Sequence, residues 1–366
     1  MSYVIADNII TSLGTSTEEV LKAVEAKRTG ITSEKFSALT EAPVSLIDRS
    51  QLDVSALKNY TFFEQVVILS IEKAISQVNI QLNSKDTLLI LSTTKGNIEL
   101  LEEKNQTSDG LIASAAAKIA AYFSCSNKPE IISNACISGV LALIVAHRYL
   151  QAGLYKQVVV CGADVASRFI VAGFESFKSM SRIPCQPFDT NRQGLSLGEG
   201  AGTIVLSHKP LTNSNTIRIF GGSSANDANH ISGPSRTGEG AYLSASRALD
   251  GNNCIDFVSA HGTATPYNDD MESIALTRLG MAEVPVNSFK GYFGHTLGAA
   301  GVIESILTLR SMQLNRMFKT LGTKKPGTAN TINILTEHTN KELNRCLKIA
   351  SGFGGCNAAI VFEKDA

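Results

Sequence analysis

One cysteine and two histidines occupy positions from which their side chains could act together. Cys136 lies in Asn134-Ala135-Cys136-Ile137-Ser138-Gly139, between the apolar pair Ile131-Ile132 and a long hydrophobic stretch that begins at Val140. The segment reads as a strand, a sharp turn and a buried helix, with the cysteine at the turn. Amides at a helix N-terminus carry partial positive charge, so a thiol held there is expected to ionise more easily and to be a better nucleophile. Taken alone, the segment also fits a buried cysteine used as a small hydrophobe. His261 sits in Ser259-Ala260-His261-Gly262-Thr263-Ala264-Thr265-Pro266, after the short apolar run 255–258, which places it at a strand end entering a loop. His295 sits in Lys290-Gly291-Tyr292-Phe293-Gly294-His295-Thr296-Leu297-Gly298-Ala299-Ala300-Gly301, after Val284-Pro285-Val286 and before an apolar helical run over 302–309. Connections of this kind carry chemistry in α/β proteins. With glycines that permit close approach, the three residues predict one site assembled from three loops.

The elements that must position these loops show in the hydrophobic pattern. Short apolar runs at 87–91, 131–133, 158–161, 203–206, 217–220, 255–258, 347–350 and 358–362 alternate with longer helical stretches, which predicts an α/β fold with buried sheets. Residues 130–164 have the form of one strand-helix-strand unit, whose crossover is expected to be right-handed. Gly198-Glu199-Gly200-Ala201-Gly202 and Gly352-Phe353-Gly354-Gly355 each run into an apolar strand, a faint internal echo that suggests duplication. A polar linker at 210–215 divides the chain into halves 1–210 and 211–366, the first carrying the cysteine and the second both histidines. The 198–202 glycines enter a strand rather than a helix and lack a following Lys-Ser/Thr, so a nucleotide site is not supported.

Composition excludes several classes. The 366 residues have a formal net charge of zero and no basic cluster, which argues against nucleic acid or an anionic membrane as a main partner. Seven cysteines at 125, 136, 161, 185, 254, 346 and 356 form no CxxC pair. This predicts reduced thiols in a cytoplasmic protein, with neither a disulfide framework nor a zinc site. The N-terminus shows no secretory signal, and the apolar run after Val140 is interrupted by His147 and Arg148, too soon to span a bilayer.

Five segments in order make the chain resemble the β-ketoacyl-acyl carrier protein synthases, elongating condensing enzymes of the thiolase superfamily. They are 134–139; Pro187-Phe188-Asp189 with Gly198-Glu199-Gly200-Ala201-Gly202; 261–265 with Asp269 and Glu272; 290–301 with Glu304; and Gly352-Phe353-Gly354-Gly355. The resemblance implies two similar βαβαβ halves in a layered α-β-α-β-α arrangement. It also implies a decarboxylative Claisen condensation, in which Cys136 takes an acyl group from a carrier-protein thioester and malonyl-acyl carrier protein then loses carbon dioxide and attacks it. Covalent capture divides a difficult carbon-carbon bond formation into easier steps. No cofactor is implied beyond the phosphopantetheine that arrives on the carrier protein. The implied partners are acyl carrier protein and a second ketosynthase-like subunit, identical or related.

By the same resemblance, the backbone N–H groups of Cys136 and Phe353 form one oxyanion hole, and His261 and His295 donate from Nε2 to the malonyl thioester as it becomes an enolate. Lys290 orients the histidine region together with the buried partner Glu304, although a lysine is ordinarily a surface residue. Asp269 and Glu272 read equally well as an acidic pair at a helix N-terminus. Thr263 and Thr265 suit hydrogen bonds to a phosphopantetheine arm, or else cap local turns. Phe353, with Gly354 and Gly355 behind it, resembles a mobile gate to the acyl pocket. The chain departs from the family at Ser351, where many members have a second phenylalanine, at Cys356, where threonine is common, and in an abbreviated region over 110–128. These departures suggest a specialised polyene or polyketide-type enzyme as the alternative pathway. A non-catalytic chain-length subunit is the remaining alternative, and those relatives usually lack the cysteine.

Overall fold

The computed structural model describes residues 1–35, 41–101, 110–211, 216–227, 229–231 and 233–365. Ten strands and six of the helices are needed to understand the site. The first half contributes β1 (Ser2–Thr11), α1 (Phe62–Ile75), β2 (Thr87–Ser92), β3 (Glu130–Ile132), α2 (Ser138–Gln151), β4 (Gln157–Asp164), α3 (Arg168–Ser176) and β5 (Gly200–Ser207). The second contributes β6 (Ile217–Asn226), α4 (Glu239–Leu249), β7 (Phe257–Ser259), α5 (Pro266–Arg278), β8 (Val286–Asn287), α6 (Ala300–Leu314), β9 (Arg345–Gly352) and β10 (Cys356–Lys364).

Hydrogen bonding orders the strands β3-β2-β4-β5-β1 in the first half and β8-β7-β9-β10-β6 in the second. The two orders are the same when strands are numbered within each half. Directions repeat as well: β2 runs parallel to β3 and β4, β7 runs parallel to β8 and β9, and the β4–β5, β5–β1, β9–β10 and β10–β6 pairs are all antiparallel. The echo between the two glycine-rich segments is therefore a topological repeat. The halves join where β1 meets β6 at Ser2–Ile219 and Tyr3–Arg218. Residues 212–215 of the expected linker, at the proposed 210/211 boundary, lie outside the described residues.

Helices α2 and α6 pack on each other and on strands of both halves, forming the middle layer; α1 covers β1, β4 and β5 on one outside, and α4 covers β6, β9 and β10 on the other. The result is the five-layer α-β-α-β-α arrangement. The layers follow from sequence. β2, β4 and β5 are buried almost throughout, so both faces need a helical cover. α1 starts in a capping box in which Thr61 accepts the Glu64 amide and Glu64 accepts the Thr61 amide. α5 starts with Pro266 at its first turn.

All eight apolar runs fall on strands. β1 is the central strand that the pattern did not expose, because Asp7 and Asn8 interrupt it. Asp7 is buried yet paired, accepting hydrogen bonds from the Thr17 hydroxyl at 2.8 Å and from Arg310 at 2.8 Å. No helix among the described residues is long and apolar enough to cross a membrane.

Candidate active site

The turn at Cys136 is built by backbone strain and one serine. Ala135 adopts φ 44°, a left-handed conformation unusual for alanine. Ser138 Oγ accepts the Asn134 N–H at 2.8 Å and donates to the Ala135 carbonyl at 2.6 Å, closing the turn. Cys136 follows, buried and two residues before the first residue of α2. Burial pushes its thiol up to about 12, with the Cys356 thiol adding to the effect and Lys95 and Lys290 opposing it. This corrects the expectation of an easily ionised cysteine. Desolvation is the largest cause, so the resting group is a thiol.

His261 sits at the end of β7 in a loop whose four successive N–H groups face α5. His261 and Gly262 donate to the two Glu272 oxygens at 2.6 and 2.7 Å, and Thr263 and Ala264 donate to Asp269 at 3.0 and 3.2 Å. Asp269 also accepts the Phe188 N–H at 2.7 Å, which ties in the 187–189 motif. These carboxylates therefore hold the histidine loop, and the reading of them as an acidic pair for their own helix end is replaced. The reason is local: Gly262 at φ 36° and Ala264 at φ 64° turn the loop donors towards α5. Burial pushes Asp269 up to about 6. Burial and the Asp269 carboxylate likewise raise Glu272.

His295 is held from the first half. Its N–H donates to the Ser196 carbonyl at 2.7 Å and its carbonyl accepts the Gly198 N–H at 3.0 Å. A Cβ at Gly198 would lie 2.0 Å from the Phe293 carbonyl oxygen, so only glycine fits where the two segments meet. The His261 and His295 rings stand 5.1 Å apart at 85°. Cys136 Sγ and one ring nitrogen from each histidine all lie within 4.8 Å of one another. The three loops thus converge on one point.

Lys290 is fully buried and explains the state of His261. Its Nζ donates to the His261 carbonyl at 2.5 Å, to Glu304 Oε1 at 2.7 Å and to His261 Nδ1 at 3.4 Å. An ammonium only donates, so Nδ1 is the acceptor and the ring proton resides on Nε2. Desolvation, followed by the nearby lysines, holds both imidazoles well below the ordinary histidine range, and they are neutral at pH 7. Neither ring nitrogen of His295 has a hydrogen-bond partner among the described residues, although both are buried. Sequence reasoning missed Lys348 of β9, whose Nζ binds Glu304 Oε2 and donates to the Ala260 carbonyl at 3.0 Å. Its only signal was a lysine inside the apolar run Leu347-Lys348-Ile349-Ala350.

Two cavities meet at Cys136. The larger, about 530 Å³, is lined by Thr263, Thr265, His261 and His295. The threonine hydroxyls bond each other at 2.9 Å, and Thr265, although the N-cap of α5, makes no capping bond with its side chain. The smaller, about 360 Å³, is apolar and lined by Phe169, Phe174, Phe177 and Phe353, with Thr94 and Lys95. Phe353 stands between the two, its ring 5.4 Å from Phe174 and 5.3 Å from Phe177. Gly354 and Gly355, at φ 82° and 73°, turn the chain behind it. A Cβ at Gly352 would lie 3.0 Å from the Cys136 nitrogen, which shows how closely the end of β9 approaches Cys136. Ser351 bonds Asn357 at 2.8 Å and lines the larger cavity, and no residue of 110–128 lines either cavity.

Residues 62–211 match the model of the β-ketoacyl synthase N-terminal domain and residues 218–324 that of its C-terminal domain. The chain belongs to the β-ketoacyl synthase family. It is 33% identical over 256 residues to 3-oxoacyl-[acyl-carrier-protein] synthase 2 of Vibrio harveyi, a match covering 64% of this chain and 61% of that relative. The chain thus spans about three fifths of that relative's length. A β-ketoacyl synthase from Burkholderia phymatum superposes with a TM-score of 0.91 at 22% identity, covering 100% of this chain and 99% of that one. A ketosynthase, ApeO, solved in complex with its chain length factor, ApeC, from Xenorhabdus doucetiae superposes with a TM-score of 0.87 at 22% identity, covering 100% and 98%.

Proposed function

We propose that the protein is a ketosynthase that condenses an acyl group held on Cys136 with malonyl-acyl carrier protein. The observation that carries this reading is the convergence of the Cys136 thiol with two neutral imidazoles within 4.8 Å. Cys136 Sγ attacks the acyl thioester carbonyl and gives up its proton, and the departing phosphopantetheine thiolate takes up a proton as its bond to the acyl carbon breaks. The N–H groups of Cys136 and Phe353 receive the oxyanion. In the second stage the bond to the malonyl carboxyl breaks and carbon dioxide leaves. The electron pair is held as an enolate by N–H donors on His261 and His295, and its carbon attacks the Cys136 thioester. The sulfur leaves as thiolate and regains a proton. Donors fixed in a buried site need no reorganisation as charge develops.

Thr263 and Thr265, in the larger cavity, would hold the phosphopantetheine arm, and the smaller cavity would take the acyl chain. No resident cofactor is required. Acyl carrier protein and a second ketosynthase-like chain, identical or related, are the partners. Within this activity fatty-acid-type elongation is the main reading and a specialised polyene or polyketide-type pathway the alternative, to which the phenylalanines lining the smaller cavity are suited because flat conjugated chains can stack on aromatic walls.

Intact-protein mass spectrometry tests the reading. After incubation with acyl-carrier proteins of graded length, a mass gain on Cys136 should form and then disappear when malonyl-carrier protein is added and ketoacyl product appears. Folded protein that acylates at another residue, or releases product without acylation, would refute it.

A further inference from the structure

Glu304 is one buried carboxylate serving two buried ammonium groups. Lys290 takes Oε1 and Lys348 takes Oε2. Both lysines and the glutamate are at most 1% exposed. A lysine in the middle of a core strand is costly to bury unless it is paired and its donors are used. Lys348 uses its remaining reach on the Ala260 carbonyl, while Lys290 uses its own on the next carbonyl, that of His261. Two consecutive carbonyls at the end of β7 are therefore clamped from behind, and the His261 ring is carried by the clamped residue. Two lysines face one carboxylate; burial lowers the Lys348 ammonium from the ordinary lysine range, and Glu304 opposes that by direct pairing. The other acid that acts on Lys348, Glu272, is already engaged by the His261 and Gly262 amides and is itself raised by burial. The remaining charged group that acts on His295 is Lys95, also a cation.

Resting on the condensing reading above, we infer that Lys348 is a positioning residue: it clamps Ala260, shares Glu304 with Lys290, and leaves behind His261 and His295 one uncompensated positive charge, which is matched when decarboxylation turns the malonyl thioester into an anionic enolate. The charge of the reaction is thus anticipated by the protein, and the field is in place before the carbon-carbon bond breaks. After desolvation, Lys348 adds to Lys290 in keeping protons off the two imidazoles, which must be neutral to act as N–H donors without carrying charge of their own.

The test compares wild type with Lys348→Met, which keeps length and removes charge while leaving the Lys290–Glu304 pair. Imidazole NMR titration should show both site histidines neutral at about pH 6 in the wild type, and titrating at a higher pH in the variant than in the wild type. Decarboxylation of malonyl-acyl carrier protein should fall roughly tenfold or more in kcat with KM changed less than about threefold, while acylation of Cys136 is retained. A wild type whose site histidines are already charged at about pH 6 overturns the inference without any variant, which keeps it testable if Lys348→Met does not fold. A variant with lower stability but unchanged histidine titration and unchanged kcat also overturns it, because Lys348 would then only support the fold. If wild type turns over no malonyl thioester, the proposed function falls, and the histidine titration still decides the electrostatic role of Lys348.

Discussion

Gly139 on α2 and Gly301 on α6 lie in reciprocal contact: a Cβ at Gly139 would stand 2.7 Å from the Val302 nitrogen, and one at Gly301 would stand 2.4 Å from the Val140 nitrogen. The helix that follows Cys136 and the helix that follows His295 therefore touch backbone to backbone. Neither glycine needs a left-handed φ, so the requirement here is closeness alone. This contact sets the distance between nucleophile and histidine. Gly139→Ala should force the helices apart, lower stability by about 1–3 kcal/mol in urea unfolding and reduce condensation more than tenfold. Unchanged turnover would mean that the spacing is set elsewhere.

On the proposed function, the histidine pair should act in only one of the two stages. His261→Ala and His295→Ala should each slow malonyl decarboxylation by about 10²–10³-fold, measured as carbon dioxide release, while Cys136 still acylates. His295 is the sharper case, since its ring nitrogens have no other partner among the described residues.

The thiol makes a pH prediction with a definite sign. Because burial pushes Cys136 up to about 12, the thiolate fraction grows with pH across the whole accessible range. Iodoacetamide modification of the free enzyme should accelerate roughly tenfold per pH unit between about pH 7 and 9. A plateau below about pH 8 would identify a thiolate already formed at rest.

Asp269 joins stability to site geometry. Asp269→Ala would orphan the amides of Phe188, Thr263 and Ala264, at about 1–3 kcal/mol for each N–H left unsatisfied, and should depress thermal stability and turnover together. Asp269→Asn keeps one acceptor oxygen and should be milder. The folded carboxyl is raised to about 6, so the folded state holds its proton longer than the unfolded chain. Its contribution is full below the unfolded range near about 4 and is lost as pH rises through about 6. The Asn variant should lack this component when its stability is compared with wild type across that interval.

The legible parts of this molecule are those written in contiguous sequence. The runs 158–161 and 203–206 read as strands because nothing polar interrupts them, and Cys136, His261 and His295 stood out by the glycine-rich segments around them. β1 escaped because Asp7 is satisfied by Thr17, just beyond the strand, and by Arg310, 303 residues along the chain. Lys348 escaped for the same reason, since its partner Glu304 is 44 residues away. The pKa of Cys136 was misjudged because a helix terminus can be read locally, whereas desolvation depends on the packing of the whole fold. The role of Asp269 became clear only when the loop donors were seen to turn towards it.

The contact of Phe353 with Phe174 and Phe177 has a consequence for selectivity. On the proposed condensing function, the protein supplies its own stand-in for a hydrocarbon tail, a ring standing where the tail would enter. An incoming acyl group therefore exchanges one apolar contact for another, and only the difference between them is available to hold it. A tail too short to replace both ring contacts gains little by entering, whereas a long or flat one recovers what the phenylalanine gives up. Chain choice on this scaffold is then a competition against an internal ligand, and its set point can be moved by residues that never touch the substrate.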